Sequence, residues 1–414
     1  MIPVNQTIER IASWDGVFML GVLLLAVTAA THALLYKRDP RASLSWCLWI
    51  ILLPGLGALM YYFFGINRVQ RKAVQIRRRR PPFVRSGSSE IAVSYANASA
   101  LSVLVTRVTQ RPLLGGNSMR PLRNGDEAYP EMLRAIEGAR KSVGLSTYIF
   151  DWDRSGQAFA RALSDAKQRG VEVRVLIDSV GSRYSWPSAP TRLRRMGVRT
   201  ETFLPVLNPF MLSAFNLRSH RKVLTVDGEV AFTGGINIRE GHELSLRPRS
   251  PVRDLHFRVE GPVVAQLQEV FAEDWIFSSG ERLDGDKWFP HEIPAPGYAP
   301  MRAIAGGPDQ GFESAKWTIL GALAEARSRV EIVTPYFLPD TALISALSVA
   351  ALRGVSVEIT IPKKSNLPFV DWASRAQLWQ VLDRDCKVFL SDQPFDHAKL
   401  MRVDGQWVML GSNN

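Results

Sequence analysis

Cysteine is nearly absent. Cys47 and Cys386 are the only two in 414 residues, and no Cys-x-x-Cys pair occurs. This excludes a disulfide framework and a thiolate zinc site, and it fits a reducing compartment. Charge is missing from two stretches near the N-terminus. Residues 17–36 and 44–64 contain no Asp, Glu, Lys or Arg. Acidic residues are missing from 68–85, where eight basic ones lie, four of them consecutive at 77–80. The whole chain has a formal charge of +12, which calls for an anionic partner, either nucleic acid or an anionic membrane.

The two uncharged stretches are each long enough to cross a bilayer as a helix, which needs about 20 residues. The short link Lys37-Arg38-Asp39-Pro40-Arg41 between them predicts a transmembrane helical hairpin over residues 1–65. Trp46, Trp49, Tyr61 and Tyr62 sit towards the ends of the second stretch, where aromatic belts form. A signal peptide is disfavoured because Glu9 and Asp15 precede the first stretch and a second follows at once. The basic run after the second stretch puts the bulk of the chain in the cytoplasm by the positive-inside rule. Its position directly behind the anchor assigns it to an anionic leaflet rather than to nucleic acid. The stretch 66–112, with Ser86-Gly87-Ser88-Ser89, reads as a basic, partly flexible connector.

From about residue 113 onward one pattern occurs twice. In the first copy a helix over about 132–142 leads to a strand ending Thr147-Tyr148-Ile149-Phe150. A second helix then ends at Arg169-Gly170, and an alternating Val/Ile strand follows. In the second copy a helix ends near Arg329, a strand leads to Tyr336-Phe337, and another helix ends at Arg353-Gly354 before an alternating strand. Glycine just past a helix and β-branched alternation predict strand–helix–strand units in an α/β fold. We expect two lobes, 113–290 and 300–414, related by a pseudo-twofold axis.

The strongest signal is His220-x-Lys222 followed by Asp227, which returns as His397-x-Lys399 and Asp404. Gly234 and Asn237 follow His220 at the same intervals as Gly411 and Asn414 follow His397. On a strand, His and Lys at i and i+2 share a face. One imidazole can attack phosphorus while the other protonates the leaving alcohol and deprotonates the incoming one. Lys222, Lys399, Asn237 and Asn414 would stabilise the non-bridging oxygens. This chemistry requires no metal and no other cofactor.

These paired motifs resemble the phospholipase D superfamily, in which two halves build one active site. The resemblance extends to bacterial cardiolipin synthases through the anchor with Trp46, Pro54, Gly57, Tyr61 and Gly65, and through Ser219-His220-Arg221-Lys222, Phe232-Thr233-Gly234-Gly235, Arg253-Asp254, Glu260-Gly261-Pro262, Thr334-Pro335-Tyr336-Phe337 and Asp396-His397-Ala398-Lys399-Leu400. It implies a multi-pass enzyme of the bacterial inner membrane. That enzyme would move a phosphatidyl group between two phosphatidylglycerol molecules through a phosphohistidine and release glycerol. His220 would be the nucleophile and His397 the acid and base, or the reverse. Asp227 and Asp404 would pin the motifs, and Asp254 would orient His220. His256 reads as structural.

In the family the pattern continues past the second Gly-Ser-x-Asn to an acidic residue. The sequence ends at Asn414, so the partner orienting His397 is expected to be missing and the second lobe incomplete. Residues 203–217, rich in Leu, Phe and Met, read either as an acyl-chain groove or as ordinary core. A hydrolase, a nuclease and a non-catalytic homologue remain as alternatives at this level.

Overall fold

The computed structural model describes residues 4–37, 39–66, 99–184, 187–204, 220–306 and 313–412. Among the expectations above, those on the basic run, on most of 203–217 and on Asn414 lie outside the described residues.

The N-terminal helices form one compact unit. Helix α1 spans Val4–Tyr36 and contains one stretch, Asp15–Tyr36, long and apolar enough to cross a membrane. Asp39 caps the next helix, α2 (Pro40–Leu52), through Arg41 N–H at 2.9 Å. The second apolar run was expected to form one crossing helix, and it does not. It breaks at Leu53, before Pro54, into α2, a seven-residue helix α3 (Pro54–Met60) and a π-helical turn Tyr61–Gly65. Pro54 has no N–H to offer and pushes the preceding residue out of the helical region, to φ −134°. Thirteen helical residues in α2 reach only about 20 Å, short of a bilayer core of roughly 30 Å. Two crossing helices are therefore not supported. Both α2 and α3 fold back on α1. Ala26, Ala33, Ile50 and Tyr61 share an apolar cluster, Ser43 Oγ donates to Ala33 O at 3.0 Å, and Tyr61 Oη lies 2.7 Å from His32 Nδ1. Gly57 makes this turn close enough, because a Cβ there would collide with the Trp49 carbonyl.

The second compact unit contains a mixed α/β fold with two main sheets. The strands of the larger are β1 (Leu114–Arg123), β2 (Ser142–Thr147), β3 (Glu172–Asp178), β4 (Arg199–Phe203), β5 (Val223–Val226) and β6 (Val230–Gly234), with β7 (Val252–Arg253) set apart from it and β8 (Leu255–Glu260) and β9 (Ala299–Met301) completing it. The order is β4-β3-β2-β5-β6-β8-β1-β9. Parallel pairing joins β2 to β3 and β3 to β4, across connections that carry helices Arg154–Gln168 and Ala189–Arg195. The remaining pairs are antiparallel. Leu145, Val175, Leu224 and Phe232 pack against Ile136, Phe159 and Leu163 in one core. Strand β9 belongs to this sheet, although residues from 300 onward were assigned to the second lobe.

The smaller sheet has the order β12-β11-β10-β14-β15, built from β10 (Arg329–Val333), β11 (Ser356–Pro362), β12 (Lys387–Ser391), β14 (Leu400–Val403) and β15 (Trp407–Leu410). Again one strand, β10, pairs in parallel with the strand that follows its helix and antiparallel with the strand after the His-x-Lys motif. Gly170 and Gly354 both take φ 89° just after their helices, as the Arg-Gly pairs predicted. The helix Ala100–Thr109 corrects the reading of 66–112 as a connector. Leu101 and Val105 lie in the core of the smaller sheet with Val330, Leu347 and Val357, and Leu101 N–H donates to Glu325 at 2.6 Å.

One further pair joins the two motif copies. Strand β13 (Phe395–Asp396) runs parallel to β7, with Phe395 opposite Val252 and Asp396 opposite Arg253. His397 N–H then donates to Arg253 O at 2.8 Å.

Candidate active site

Each His-x-Lys motif lies at the entry to a strand rather than within it. His220 and Lys222 precede β5, while His397 and Lys399 precede β14. The residue between them turns away. Arg221 is buried against Asp274 at 2.5 Å and the Gly306 carbonyl at 2.6 Å. The two lysines repeat one geometry. Lys222 Nζ donates to His220 O at 2.7 Å, and Lys399 Nζ to His397 O at 2.5 Å. Both ammonium groups are buried.

The parallel ribbon of β7 and β13 brings His397 beside Asp254. Its Nδ1 lies 2.8 Å from Asp254 Oδ2, and the carboxylate is fully buried. This corrects two expectations. Asp254 was assigned to His220 but pairs with His397. The partner of His397 was expected past the last residue, yet it comes from the first motif copy. The physical reason is register. A two-residue parallel bridge sets Asp396 opposite Arg253 and ties His397 N–H to the Arg253 carbonyl, so the next residues of the two strands, His397 and Asp254, fall side by side. Arg253, next to Asp254 in the chain, pairs with Asp396 at 3.2 Å.

Asp254 is held from several sides. Asn124 accepts its N–H at 3.1 Å and donates its own N–H to the Asp254 carbonyl at 3.0 Å, and Leu255 N–H donates to Oδ1 at 2.8 Å. Gly235 leaves the space, since a Cβ there would overlap the carboxylate. Burial alone would raise this carboxyl, but the His397 hydrogen bond and the nearby charges of His397 and Lys399 bring it down to about 2. Burial lowers the His397 imidazole and Lys399 and Lys222 push it the same way, while Asp254 opposes them.

Lys222 falls to about 7 through burial and the charge of Lys399, and Lys399 falls to about 8 through burial. Asp254 acts on both lysines and on His397. These groups therefore occupy one electrostatic neighbourhood. An arriving phosphate would favour the charged form of each lysine, so the site gains positive charge as its ligand enters.

His220 is exposed and stacks on Tyr148 with ring centroids 4.5 Å apart. The Tyr148 ring also faces Lys222 Nζ at 5.7 Å. Tyr336 occupies the corresponding place in the second copy, edge-on to His397 at 6.2 Å. Both tyrosines stand in the strand-end motifs Tyr148-Ile149-Phe150 and Thr334-Pro335-Tyr336-Phe337, but their packing against the histidines was not read from sequence.

Asn237 is buried beneath this site. Its Oδ1 accepts from Ile149 N–H at 3.1 Å, its N–H donates to His242 Nε2 at 3.3 Å, and its carbonyl accepts from Tyr129 Oη at 2.6 Å. His256 is buried and pushed down by burial to about 4, consistent with a packed, neutral imidazole. Asp227 and Asp404 stand away from the histidines. Asp227 accepts the N–H groups of Arg140, Lys141 and Ser142 at 2.9, 2.7 and 2.9 Å. Asp404 accepts those of Arg327, Ser328 and Arg329, each at 2.8 Å. Both carboxylates thus clamp the start of a strand, β2 or β10, and neither is aimed at a substrate.

The family described as cardiolipin synthase, PLD-like domain matches residues 132–275 and 319–414. The chain belongs to the cardiolipin synthases of the phospholipase D superfamily. It is a phosphatidyltransferase of that family. A phospholipase D-nuclease N-terminal region matches 24–65. This cardiolipin synthase-family chain is 31% identical to cardiolipin synthase of Geobacillus kaustophilus, over 97% of this chain and 82% of that protein. It is 32% identical to cardiolipin synthase A of Pseudomonas aeruginosa, over 96% and 83%. Phosphatidylserine synthase of Haemophilus influenzae has a similar fold, with a TM-score of 0.54 at 13% identity over 74% of this chain and 81% of that one.

Proposed function

We propose that this chain makes cardiolipin and glycerol from two molecules of phosphatidylglycerol. The observation that carries the reading is the matched pair of His-x-Lys sites in one electrostatic neighbourhood, joined through Asp254 and His397. His220 is the nucleophile. Its nitrogen lone pair attacks phosphorus, a P–N bond forms, and the P–O bond to glycerol breaks. His397 gives the departing oxygen its proton. It then takes a proton from the hydroxyl of the second phosphatidylglycerol, whose oxygen attacks phosphorus as the P–N bond breaks. Asp254 supports the acid–base role of His397, since a carboxylate on Nδ1 steadies the imidazolium. Lys222, Lys399 and the amides of Asn237 and Asn414 bind the non-bridging oxygens. Asp227 and Asp404 keep the motif loops in place.

We read the chain as an anchor at 1–65 followed by two phospholipase D-like lobes, centred on 113–290 and 300–414 and related by a pseudo-twofold axis, with strand β9 joining the sheet of the first and helix Ala100–Thr109 the core of the second. The repeated Asp clamps and the matching strand pairings support that relation. The α1 span anchors the protein in the bacterial inner membrane. Basic residues on its C-terminal side put the catalytic region on the cytoplasmic face.

The test is product analysis of purified protein with phosphatidylglycerol vesicles, with His220→Ala and His397→Ala as controls. Cardiolipin and glycerol, lost in both controls, are expected. Phosphatidic acid as the main product would overturn transfer in favour of hydrolysis.

A further inference from the structure

One helical segment of the catalytic unit carries apolar residues on two faces. The helix Pro368–Gln377 runs through Leu378, which keeps helical dihedrals, into the short helix Trp379–Leu382. Ser374 and Val381 point inward and are buried. Phe369, Trp372 and Trp379, at i, i+3 and i+10, share the opposite side and are 80%, 63% and 61% exposed. The rings of Phe369 and Trp372 meet edge to face at 5.3 Å. The outer face of a helix on a soluble domain is ordinarily polar. A contiguous group of bare aromatic rings marks a contact surface.

We propose that this stripe is a second membrane contact, one that docks the His397 side of the catalytic unit onto a bilayer surface rich in anionic lipid. Composition and charge favour lipid over a protein partner. Trp and Phe on one face with Lys and Arg around them are the marks of a helix lying in the interface. Residues 363–387 hold five basic and three acidic side chains. Asp371 and Arg375 pair at 3.0 Å, which leaves four basic and two acidic side chains around the stripe. Location gives the surface its use. Just before the stripe, Asn366 Oδ1 accepts a 2.8 Å hydrogen bond from Tyr336 Oη, and the Tyr336 ring stands edge-on to His397. A docked stripe would thus set the mouth of the site at the headgroup level, where a lipid moves in sideways without leaving the bilayer. That last consequence rests on the lipid-substrate reading above, whereas the docking itself does not.

The test uses the full chain reconstituted in phosphatidylglycerol vesicles. Ala376, exposed on the same side, is changed to Cys in a Cys47→Ser background and labelled with a fluorophore, Cys386 being buried. Lipids carrying a nitroxide near the headgroup should quench this label at least twofold, and Phe369→Ser/Trp372→Ser/Trp379→Ser should abolish the quenching. The same triple variant should need about tenfold more vesicles for half-maximal turnover, while keeping its rate on short-chain monomeric phosphatidylglycerol. Absence of quenching overturns the proposal. So does a triple variant that turns an oligomer into a monomer with quenching unchanged, which would assign the stripe to a second copy. Quenching with no cardiolipin formed would sustain the docking and sink the proposed function.

Discussion

The two histidines are held in opposite ways. His397 is recessed, with a 14% exposed side chain, and is tied to a buried carboxylate supplied by the other motif copy. His220 is exposed and is supported by the face of Tyr148. A repeated motif has therefore not produced two equivalent sites. One imidazole faces a buried carboxylate through Nδ1, and the other lies against the ring of a tyrosine. This difference suits a division of labour in which one group shuttles protons and the other bonds to phosphorus.

The most severe way to break the comparison is to remove each ring. His220→Ala and His397→Ala should each lower turnover about 10⁴-fold or more. Rapid quenching in alkaline detergent with phosphorus-labelled lipid should trap a phosphoenzyme in wild type and none in His220→Ala. A trapped phosphoenzyme in His220→Ala would exchange the two roles.

Asp254→Asn should cost about 10²–10³-fold in turnover. It also sharpens the assignment through pH. Asp254 opposes the fall of the His397 imidazole, so its loss lowers that group further, and the alkaline limb of the rate profile, where His397 loses the proton it must donate, should move to lower pH. A limb that stays in place would detach the carboxylate from the chemistry. In stability the sign is that of a depressed carboxyl. The Asp254 contribution is present above its unfolded value near 3.8 and is lost as pH falls towards 2.

Lys222→Met separates function from folding. The folded value of Lys222, about 7, lies below its unfolded 10.5, so its charge opposes folding increasingly as pH drops through that window. The variant should lose about 10²-fold in turnover. At pH 7 it should gain on the order of 1 kcal/mol in denaturant unfolding of the detergent-solubilised protein. A loss of stability instead would mean that its 2.7 Å bond to the His220 carbonyl outweighs desolvation. The mildest effect on activity should come from Asp404→Ala. Three backbone N–H groups lose their acceptor, stability should fall by about 1–2 kcal/mol, and turnover at low temperature should change less than tenfold.

Much of the site was legible in the sequence because its spacing is local. His, Lys and Asp lie within eight residues in each copy, and Asp227 and Asp404 accept backbone N–H groups at the starts of β2 and β10. The choice of partner for Asp254 was not legible. It depends on a two-residue bridge between segments 143 residues apart, and nothing in the local pattern encodes that pairing. In the fold, the Arg-Gly helix ends and the alternating strands were readable from backbone preference. The break at Leu53 was announced by Pro54 but masked by the continuous apolarity around it. The helix Ala100–Thr109 escaped notice because its ten residues bury only part of one face, against a core assembled from much later in the chain. The Phe369, Trp372 and Trp379 stripe was hidden by the inward residues interleaved with it.

The ribbon of β7 and β13 also orders events in time. Asp254 leaves the ribosome 143 residues before His397, and the imidazole that completes the pair reaches it only once β13 has docked. In the mechanism proposed above, a nascent chain held by its anchor would have one histidine and one lysine without the proton carrier. Chemistry on lipid would then wait until both motif copies have been made and joined.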